Sequence, residues 1–538
     1  MERKVQKLAD RLRGHIHSED YLSAIGYIYL YVLEKENPES KVLKTNLKNN
    51  FKESMSENER NQILRILMKQ ISSSEELKEV LIHLFRTIDY SRQTMMASSN
   101  DSILNLAPSF FIFDQGTFAD FCSGNGAMLS KALDNGAESV KGIEISTLSH
   151  DLSVLRLWLE HGQLMEEEIT EADVFQYFQK HPDEKYQEIF SQFPLGILRK
   201  EDYVFEGISI NKKSDWAFIA LAMNQLKENG RAVLISSMNV ETRKVDEEIR
   251  QHFIQKGYIE EIISLPSGIL SGTNIPSFLI ILSHKNDTIR FTDASEIYSE
   301  SGRVRYISEE DLLKISESKK QQVEMPIQEV QEKGRLNPSF YLLPELSEGV
   351  ALEKLVEVLN SRSMTKKEMN DYSTDKNYGY EVIRSSHVKE GKIEAGNLVQ
   401  GDIEKLVELE DKDLILTRIS SNLRVALYQK DNITSFIDEN FYVLRVKDQA
   451  IDPYYLLAYL QSDLGQNYLL SNYSGVTIQR INKKDLMHFK VPMTDESQEE
   501  KIAKEMKEYI EEIERLELKV ELAKEEQSEG INQYFKEG

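Results

Sequence analysis

A glycine-rich turn carries the clearest chemical signal in the sequence. Asp120 precedes Gly124 and Gly126, with a β-type run before the turn and a helical pattern after it. Glycine lets the backbone approach a ligand where a Cβ would clash, and a helix N-terminus offers free N–H groups. About 20 residues on, a second β-type run ends near Glu144, where nucleoside-binding α/β folds place a carboxylate on ribose hydroxyls. The spacing indicates a nucleoside-type cofactor site; a tight βα turn of any α/β protein is the alternative.

Cys122, the single cysteine of the chain, lies inside this turn. A catalytic thiol needs a matched base nearby, and the sequence offers none. We therefore expect Cys122 to be a small packing residue that lines the turn. One cysteine also excludes an internal disulfide and a cysteine-rich zinc site, and we predict no metal centre.

The elements that position this turn follow from the periodicity of the chain. Residues 1–100 have apolar residues at helical spacing, with helices expected at 57–68 and 75–88. Further on, β-branched or aromatic runs alternate with helical patterns, which predicts an α/β fold with βα units on a mostly parallel sheet. These runs cover residues 117–121, 140–145, 188–190, 231–236, 259–265 and 277–282.

Hydrophobic periodicity and charge divide the sequence into five segments. The boundaries predict a helical N-terminal domain at 1–100, an α/β domain at 101–290 and a charged connector at 291–344. A second α/β domain at 345–494 and a long charged helix at 495–538 complete the chain.

Composition limits the classes of protein that fit. No stretch approaches the roughly 20 apolar residues needed to span a bilayer, and no signal-peptide core follows the N-terminus, so we expect a cytoplasmic protein. The formal net charge of −24 opposes phosphate binding. A DNA-binding function would need a locally basic cleft or a partner that supplies positive charge.

The glycine turn resembles motif I of S-adenosylmethionine-dependent methyltransferases, Asp-x-x-x-Gly-x-Gly. Position 129 is Leu, so the third glycine of the dinucleotide fingerprint is missing, which argues against a Rossmann oxidoreductase. The resemblance implies a Rossmann-like methyltransferase fold with S-adenosyl-L-methionine as cofactor. It places Asp120, Gly124 and Gly126 at the methionine end of the cofactor.

The same resemblance assigns two further acids. Glu144 would hold the ribose, and Asp173 would lie near the adenine of the cofactor. A helix-capping or surface acid is the alternative interpretation of Asp173.

Longer stretches are similar to type I restriction–modification modification subunits. Residues 8–14, followed by Tyr21 and 25–30, resemble their helical N-terminal domain. Residues 214–218 and 226–233 resemble their late βα unit, and residues 265–270 and 272–277 resemble the closing strand and turn. The resemblance implies methyl transfer to adenine N6 of double-stranded DNA in a restriction–modification or related phage-defence system.

The second α/β domain resembles one target-recognition domain of a specificity subunit. The similar stretches, in order, are 413–418, 452–456, 459–462, 475–482 and 489–492. The implied enzyme is a methylase fused to a single DNA-recognition domain.

The resemblance also locates a catalytic tetrapeptide, which departs from the family's Asn-Pro-Pro-Phe or Tyr. Gln192, Phe193, Pro194 and Leu195 stand at the four positions. The extra methylene of Gln moves the amide acceptor, and a misplacement of roughly 1 Å can cost about a hundredfold in rate. Leu195 has no aromatic ring to stack on the flipped base, and such a stacking contact typically contributes ~1–3 kcal/mol to binding. Two hypotheses remain open: an active enzyme, or a catalytically impaired pseudo-methyltransferase that acts as a DNA-binding or regulatory subunit.

The C-terminal helix has a coiled-coil-like apolar seam with alternating spacings of four and three residues. Its members are Ile502, Met506, Tyr509, Ile513, Leu516, Val520 and Ala523. The seam predicts packing on a second copy, on another restriction–modification subunit, or on a helix of this chain such as 351–359. An amphipathic helix lying on its own domain is the alternative.

Overall fold

The structure is a computed structural model of the chain. Of the stretches that carry the resemblance, 8–14, positions 272 and 274, and most of 475–482 lie outside the part of the chain that it describes. That part covers residues 21–67, 73–87, 101–113, 116–270, 273, 275–302, 304–317, 321–343, 349–362, 380–389, 392–393, 396–399, 406–419, 423–430, 433–471 and 480–536.

The chain forms two compact units, Met1–Leu342 and Leu343–Gly538. The first unit has helices before its first strand, between its strands and after its last strand. In its described part they are α1 (Tyr21–Glu36), α2 (Leu47–Glu53), α3 (Glu57–Leu67), α4 (Ser74–Thr87), α5 (Asp101–Leu106), α6 (Ala127–Asp134), α7 (Thr147–His161), α8 (Val174–Lys180), α9 (Trp216–Gln225), α10 (Asn239–Thr242), α11 (Glu247–Gln255), α12 (Glu309–Glu317), α13 (Ile327–Lys333) and α14 (Pro338–Leu342).

Among the described residues of the first unit, the strands form one large sheet and two small hairpins. They are β1 (Thr117–Asp120), β2 (Ser139–Glu144), β3 (Ile169–Glu171), β4 (Tyr186–Ser191), β5 (Tyr203–Phe205), β6 (Ile208–Ile210), β7 (Leu226–Ser237), β8 (Ile259–Leu265), β9 (Ser277–Leu282), β10 (Thr288–Asp293), β11 (Ser299–Ser301), β12 (Val304–Tyr306) and β13 (Gln322–Pro326).

The large sheet has nine strands in the order β13-β10-β8-β9-β7-β4-β1-β2-β3. The run from β7 to β3 is parallel, while β9 lies antiparallel between β7 and β8. The strand order reverses between β1 and β4, and ligands of open α/β sheets bind at such a switch point beyond the carboxyl ends of the strands.

Two apolar layers cover the sheet, because successive side chains of a strand point to opposite faces. Phe118 and Phe190 face the layer that contains α1, α4, α6 and α7, whereas Ala119 and Ile189 face the layer that contains α9 and α11. The N-terminal helices belong to the first of these layers, and Asn50 of α2 donates to Asp151 of α7 at 2.8 Å. Helices therefore hold both faces of β1 and β4, the strands that carry the predicted site.

The α/β prediction is confirmed: all six predicted β runs are strands of the nine-stranded sheet. The segment 291–344 differs from the expected connector. β13 pairs with β10 at the edge of the same sheet, and α13 and α14 pack against these strands. β10 alternates exposed and buried residues and carries Arg290, which is a typical pattern for a strand near a sheet edge rather than for a linker.

The second unit is built from small sheets and, in its described part, five helices. The helices are α15 (Leu352–Leu355), α16 (Pro453–Gln461), α17 (Asp463–Ser471), α18 (Lys483–His488) and, longest, α19 (Glu496–Lys536), with α15 a single turn. The strands are β14 (Val350–Ala351), β15 (Val356–Leu359), β16 (Tyr380–Ile383), β17 (Val388–Lys389), β18 (Lys392–Ile393), β19 (Asn397–Val399), β20 (Val407–Glu408), β21 (Leu414–Thr417), β22 (Val425–Leu427), β23 (Ser435–Ile437), β24 (Phe441–Val446) and β25 (Lys490–Val491).

Two four-stranded sheets dominate this unit, β15-β24-β21-β22 and β19-β16-β23-β20. Both ends of the stretch 413–418 have structural partners. Buried Asp413 receives two hydrogen bonds from Arg445, at 3.0 and 2.7 Å, and the Arg418 guanidinium lies 4.9 Å from the Tyr442 ring. These contacts fix β21 at both of its ends.

The C-terminal helix packs on its own unit through a face that shares Met506 with the predicted seam but is otherwise offset from it. Ala503, Met506 and Ile510 contact the apolar core beside α16. Residues 351–359 were expected to form a helix that could pair with this one, and that prediction was wrong. Only α15 is helical there, and strand β15 follows it directly. Over residues 511–520 the helix is exposed at every position, including Ile513 and Leu516.

Among the described residues, the structure has no helix that is both long and apolar enough to cross a membrane.

Candidate functional site

The glycine turn connects the end of β1 to the start of α6. Gly124 and Gly126 have φ values of 52° and 76°, in the left-handed region where a Cβ is unfavourable. A Cβ on Gly126 would lie 2.4 Å from the Ser153 hydroxyl of α7. The turn therefore requires glycine at this position for both conformation and space.

Two carboxylates flank the turn, as the spacing predicted. Asp120 is buried and accepts a hydrogen bond from the Cys122 N–H at 3.2 Å. Glu144, at the end of β2, accepts from the Gly124 N–H at 2.8 Å and from the Ser146 N–H at 2.9 Å. The Glu144 carboxylate thus joins the turn after β1 to the beginning of α7.

Burial disfavours the charged form of both acids. It raises the pKa of Asp120 to about 8, with the Cys122 N–H acting against the shift and the negative charge of Glu144 adding to it. Burial also raises the pKa of Glu144. A cation placed beside this pair would favour their ionised forms.

Cys122 is half-buried inside the turn. Burial raises the pKa of its thiol well above the usual range, and the carboxylates of Glu144 and Asp120 raise it further. A thiol held in its protonated form is a poor nucleophile, so the environment fits a packing role.

Asp173 lies at the first turn of α8. Its carboxylate accepts from the N–H groups of Phe175 and Gln176, at 2.9 and 3.1 Å, which makes it the N-cap of that helix. This is the alternative interpretation of Asp173 that the sequence left open. The Arg199 guanidinium lies 4.8 Å from the Phe175 ring, and no signal in the sequence indicates this pair, because the loop of Arg199 has no periodic pattern.

The predicted tetrapeptide begins immediately after β4 and therefore beside the glycine turn. β1 and β4 pair in parallel with Asp120 opposite Phe190, and the Phe121 N–H donates to the Phe190 carbonyl at 3.0 Å. The carboxyl ends of the two strands meet at one sheet edge. The amide oxygen of Gln192 is buried there without a hydrogen-bond partner among the described residues.

The other three tetrapeptide positions differ in exposure. Phe193 is buried and stacks on Phe218, with 4.5 Å between ring centroids and 3° between ring planes. Pro194 is exposed, and Leu195 is partly buried against both core layers. One face of the Phe193 ring is covered by Phe218, so the structure gives this residue a core-packing position rather than an open stacking surface.

In the described residues, no three His, Cys, Asp or Glu side chains cluster in a way that would hold a metal ion.

Comparisons with known proteins agree with this geometry. Residues 110–341 match the family "N-6 DNA Methylase", and residues 344–524 match "Type I restriction modification DNA specificity domain". A stretch of 109 residues is 28% identical to the type I restriction enzyme MpnII methylase subunit of Mycoplasma pneumoniae and spans 20% of this chain and 20% of that relative.

Solved structures of related systems are similar at low identity. A type I restriction-modification methyltransferase subunit from Streptococcus thermophilus is 16% identical, with a TM-score of 0.46 over 53% of this chain and 71% of that one. The type IIL restriction-modification enzyme MmeI, solved in complex with DNA, is 12% identical, with a TM-score of 0.49 over 89% of this chain and 81% of that one.

The fold and the glycine turn define a Rossmann-like domain of the S-adenosylmethionine-dependent methyltransferase class. Residues 110–341 are an N-6 DNA methylase domain, fused in the same chain to a type I restriction–modification DNA specificity domain at 344–524. The comparisons give no support to the alternative of a catalytically impaired enzyme.

The glycine turn generates a prediction about stability. Gly126→Ala should destabilise the first unit by at least about 2 kcal/mol, because a left-handed φ and a clash with Ser153 act together. Gly136→Ala is the matched control: its φ is also positive, at 98°, but nothing lies within 4 Å of a new Cβ. The control should lose only about 1 kcal/mol. Equal denaturant midpoints for the two variants would contradict the packing described at Gly126.

Proposed function

We propose that this chain transfers a methyl group from S-adenosyl-L-methionine to adenine N6 in double-stranded DNA, at sites selected by its specificity domain. The observation that carries the proposal is the unpartnered, buried amide oxygen of Gln192 beside the glycine turn. The two family matches, in this order along the chain, support the same reaction. We place the activity in the cytoplasm within a restriction–modification or related phage-defence system.

The residues around the turn fit the proposed cofactor. The Ser123 hydroxyl is buried without a hydrogen-bond partner among the described residues, which leaves a polar atom for a ligand. Asp120 and the turn glycines would hold the methionine end, and Glu144 would hold the ribose. S-adenosylmethionine supplies a methyl group on a positively charged sulfur, and two adjacent carboxylates favour a cation.

Asp173 has a narrower role in the proposed site. Its Oδ1 caps α8, so the second carboxylate oxygen is the one we assign to the cofactor adenine. Phe175 and Arg199 lie next to this acid and would border the same end of the cofactor.

Gln192 can polarise the adenine amine. The N6 lone pair is spread into the ring, so a target base must leave the duplex and meet hydrogen-bond acceptors that increase its nucleophilicity. The Gln192 amide oxygen would accept one N6 hydrogen, and a backbone carbonyl of the tetrapeptide would accept the other. Pro194 and Leu195 would line the base pocket, whereas the packed Phe193 ring would support the loop from the core.

The role of Gln192 is testable by truncation. Gln192→Ala should lower kcat for DNA methylation by about a hundredfold or more, because one preorganised contact to the reacting amine is lost. The cofactor Kd should stay unchanged, since the glycine turn is intact. Gln187→Ala, at the opposite end of β4, is the control and should methylate normally. Normal methylation by Gln192→Ala would mean that this residue does not contact the target amine.

Asp120 makes cofactor binding dependent on pH. With a pKa of about 8 the carboxyl is protonated at neutral pH in the free protein, and a bound cation would stabilise its ionised form. Binding should therefore release about one proton near pH 7, and affinity should rise between pH 6 and 7.5 by up to about tenfold per unit. Calorimetry in buffers of different ionisation enthalpy measures the proton count.

Asp120→Asn separates this proton release from other titrations, including that of the cofactor's own amino group. The variant should bind more weakly and release markedly less than one proton per cofactor at pH 7. Equal proton release by wild type and Asp120→Asn would assign the titration to another group.

We further propose that the exposed part of the C-terminal helix pairs with a helix of a second copy or of another restriction–modification subunit. Leu516 and Val520, one turn apart on the predicted seam, are 48% and 52% exposed. Leu516→Lys combined with Val520→Lys should convert a wild-type dimer to a monomer in sedimentation equilibrium. The matched pair Leu518→Lys and Leu522→Lys changes exposed leucines on the opposite side of the helix and should leave the dimer intact.

A further inference from the structure

The side chain of Asp215 stands at the start of α9 but does not cap that helix. An Asp at an N-cap normally accepts from the first free N–H groups of its own helix, and Asp215 makes no such bond. The residue is 5% exposed, so its carboxylate needs other partners. It finds them at the carboxyl edge of the large sheet, in the loop that follows β4 and at the last residue of β7.

The two carboxylate oxygens of Asp215 accept hydrogen bonds from different segments of the chain. Oδ1 accepts from the backbone N–H of Gly196 at 3.1 Å, and Oδ2 accepts from the hydroxyl of Ser237 at 2.6 Å. Gly196 directly follows the tetrapeptide, and Ser237 is the last residue of β7. The carboxylate therefore connects the end of the predicted catalytic loop to the sheet.

We propose that Asp215 is a positioning residue that holds the segment 192–195 in its reactive geometry, an inference that rests on the proposed methyl transfer. The upstream end of this segment is fixed by β4, which pairs with β1 and β7. Asp215 fixes the downstream end through the Gly196 N–H. Gln192 thus lies between two anchored points, which limits how far its amide can move.

The anchor itself is rigid. Nearly all of α9 is buried in the apolar layer on that face of the sheet, and Trp216, the next residue after Asp215, is fully buried. The Trp216 indole N–H donates to the Val240 carbonyl at 2.9 Å. A loop tied to such a helix keeps its position, and loss of roughly 1 Å of precision at a reacting group can cost about a hundredfold in rate.

The chemistry of the bonds allows a conservative rescue. An Asn at position 215 can accept from the Gly196 N–H through its oxygen and donate to the Ser237 hydroxyl through its nitrogen. An Ala can do neither. If positioning is the role, Asp215→Asn should retain function that Asp215→Ala loses.

The kinetic experiment compares three variants of the full chain. Asp215→Ala should lower kcat for DNA methylation by about ten- to a hundredfold while the KM for DNA and the cofactor Kd stay near wild type. Asp215→Asn should recover most of the rate. Asp311→Ala is the matched control, because Asp311 is also buried and also accepts from one backbone N–H and from serine hydroxyls, at Ser308 and Ser299.

A second measurement tests the same contact without methylation. Amide hydrogen exchange at Gly196 should be faster in Asp215→Ala than in wild type and in Asp311→Ala, because its acceptor is gone. Exchange that is unchanged in Asp215→Ala would overturn the proposed contact. Equal losses of kcat in Asp215→Ala and Asp311→Ala would overturn the positioning role in favour of a general effect on stability.

Failure of the proposed methyl transfer can be distinguished from failure of the positioning role of Asp215. A wild-type chain that binds cofactor but methylates no DNA would contradict the proposed function, while the exchange at Gly196 would still decide whether Asp215 holds the loop.

Discussion

The parallel pairing of β1 with β4 is the constraint on which the site depends. Its register sets Asp120 opposite Phe190, so the glycine turn and the tetrapeptide leave the sheet side by side. A slip by one residue would move every side chain to the other face of the sheet, where large and small side chains would no longer fit the layer they meet. Here Phe118 and Phe190 face one apolar layer, while Ala119 and Ile189 face the other. Core packing thereby fixes the distance between the two halves of the site.

Electrostatics gives the two halves different properties. The glycine-turn half contains the buried carboxyl groups of Asp120 and Glu144, which suit a cationic ligand such as the proposed cofactor. The tetrapeptide half contains the neutral amide oxygen of Gln192, which under the proposed function would accept a hydrogen bond without repelling the phosphates of DNA. Because the chain carries a net charge of −24, the proposed DNA binding would need a locally basic surface or positive charge from a partner.

The sequence was sufficient to predict the strands of the central sheet and the turn between β1 and α6. These elements have strong local signals: β-branched runs, a glycine pair that needs left-handed backbone, and a second strand that ends in Glu144. The edge strands β10 and β13 were missed because charges on their exposed positions hide the alternation. The C-terminal helix has apolar residues on more than one side, so the sequence pattern did not identify the side that is buried.

Contacts between distant segments were beyond the reach of the sequence. Nothing local indicates that Phe193 stacks on Phe218 or that Asp215 bonds to Gly196 and Ser237, because those partners meet only after the sheet has formed. For Asp173 the sequence left two interpretations, a cofactor contact or a helix-capping or surface acid. The structure shows the hydrogen bonds of the helix cap.

The proposed function requires site-specific methylation of adenine N6 by one chain that contains both a methylase domain and a specificity domain. Sequencing that detects N6-methyladenine in DNA from cells expressing the chain tests it most directly, with DNA from cells expressing Gln192→Ala as the reference. N6-methyladenine should be confined to one sequence context, present with the wild-type chain and strongly reduced with the variant. Wild-type DNA without such a methylated context, although the protein is folded and binds S-adenosylmethionine, would contradict it.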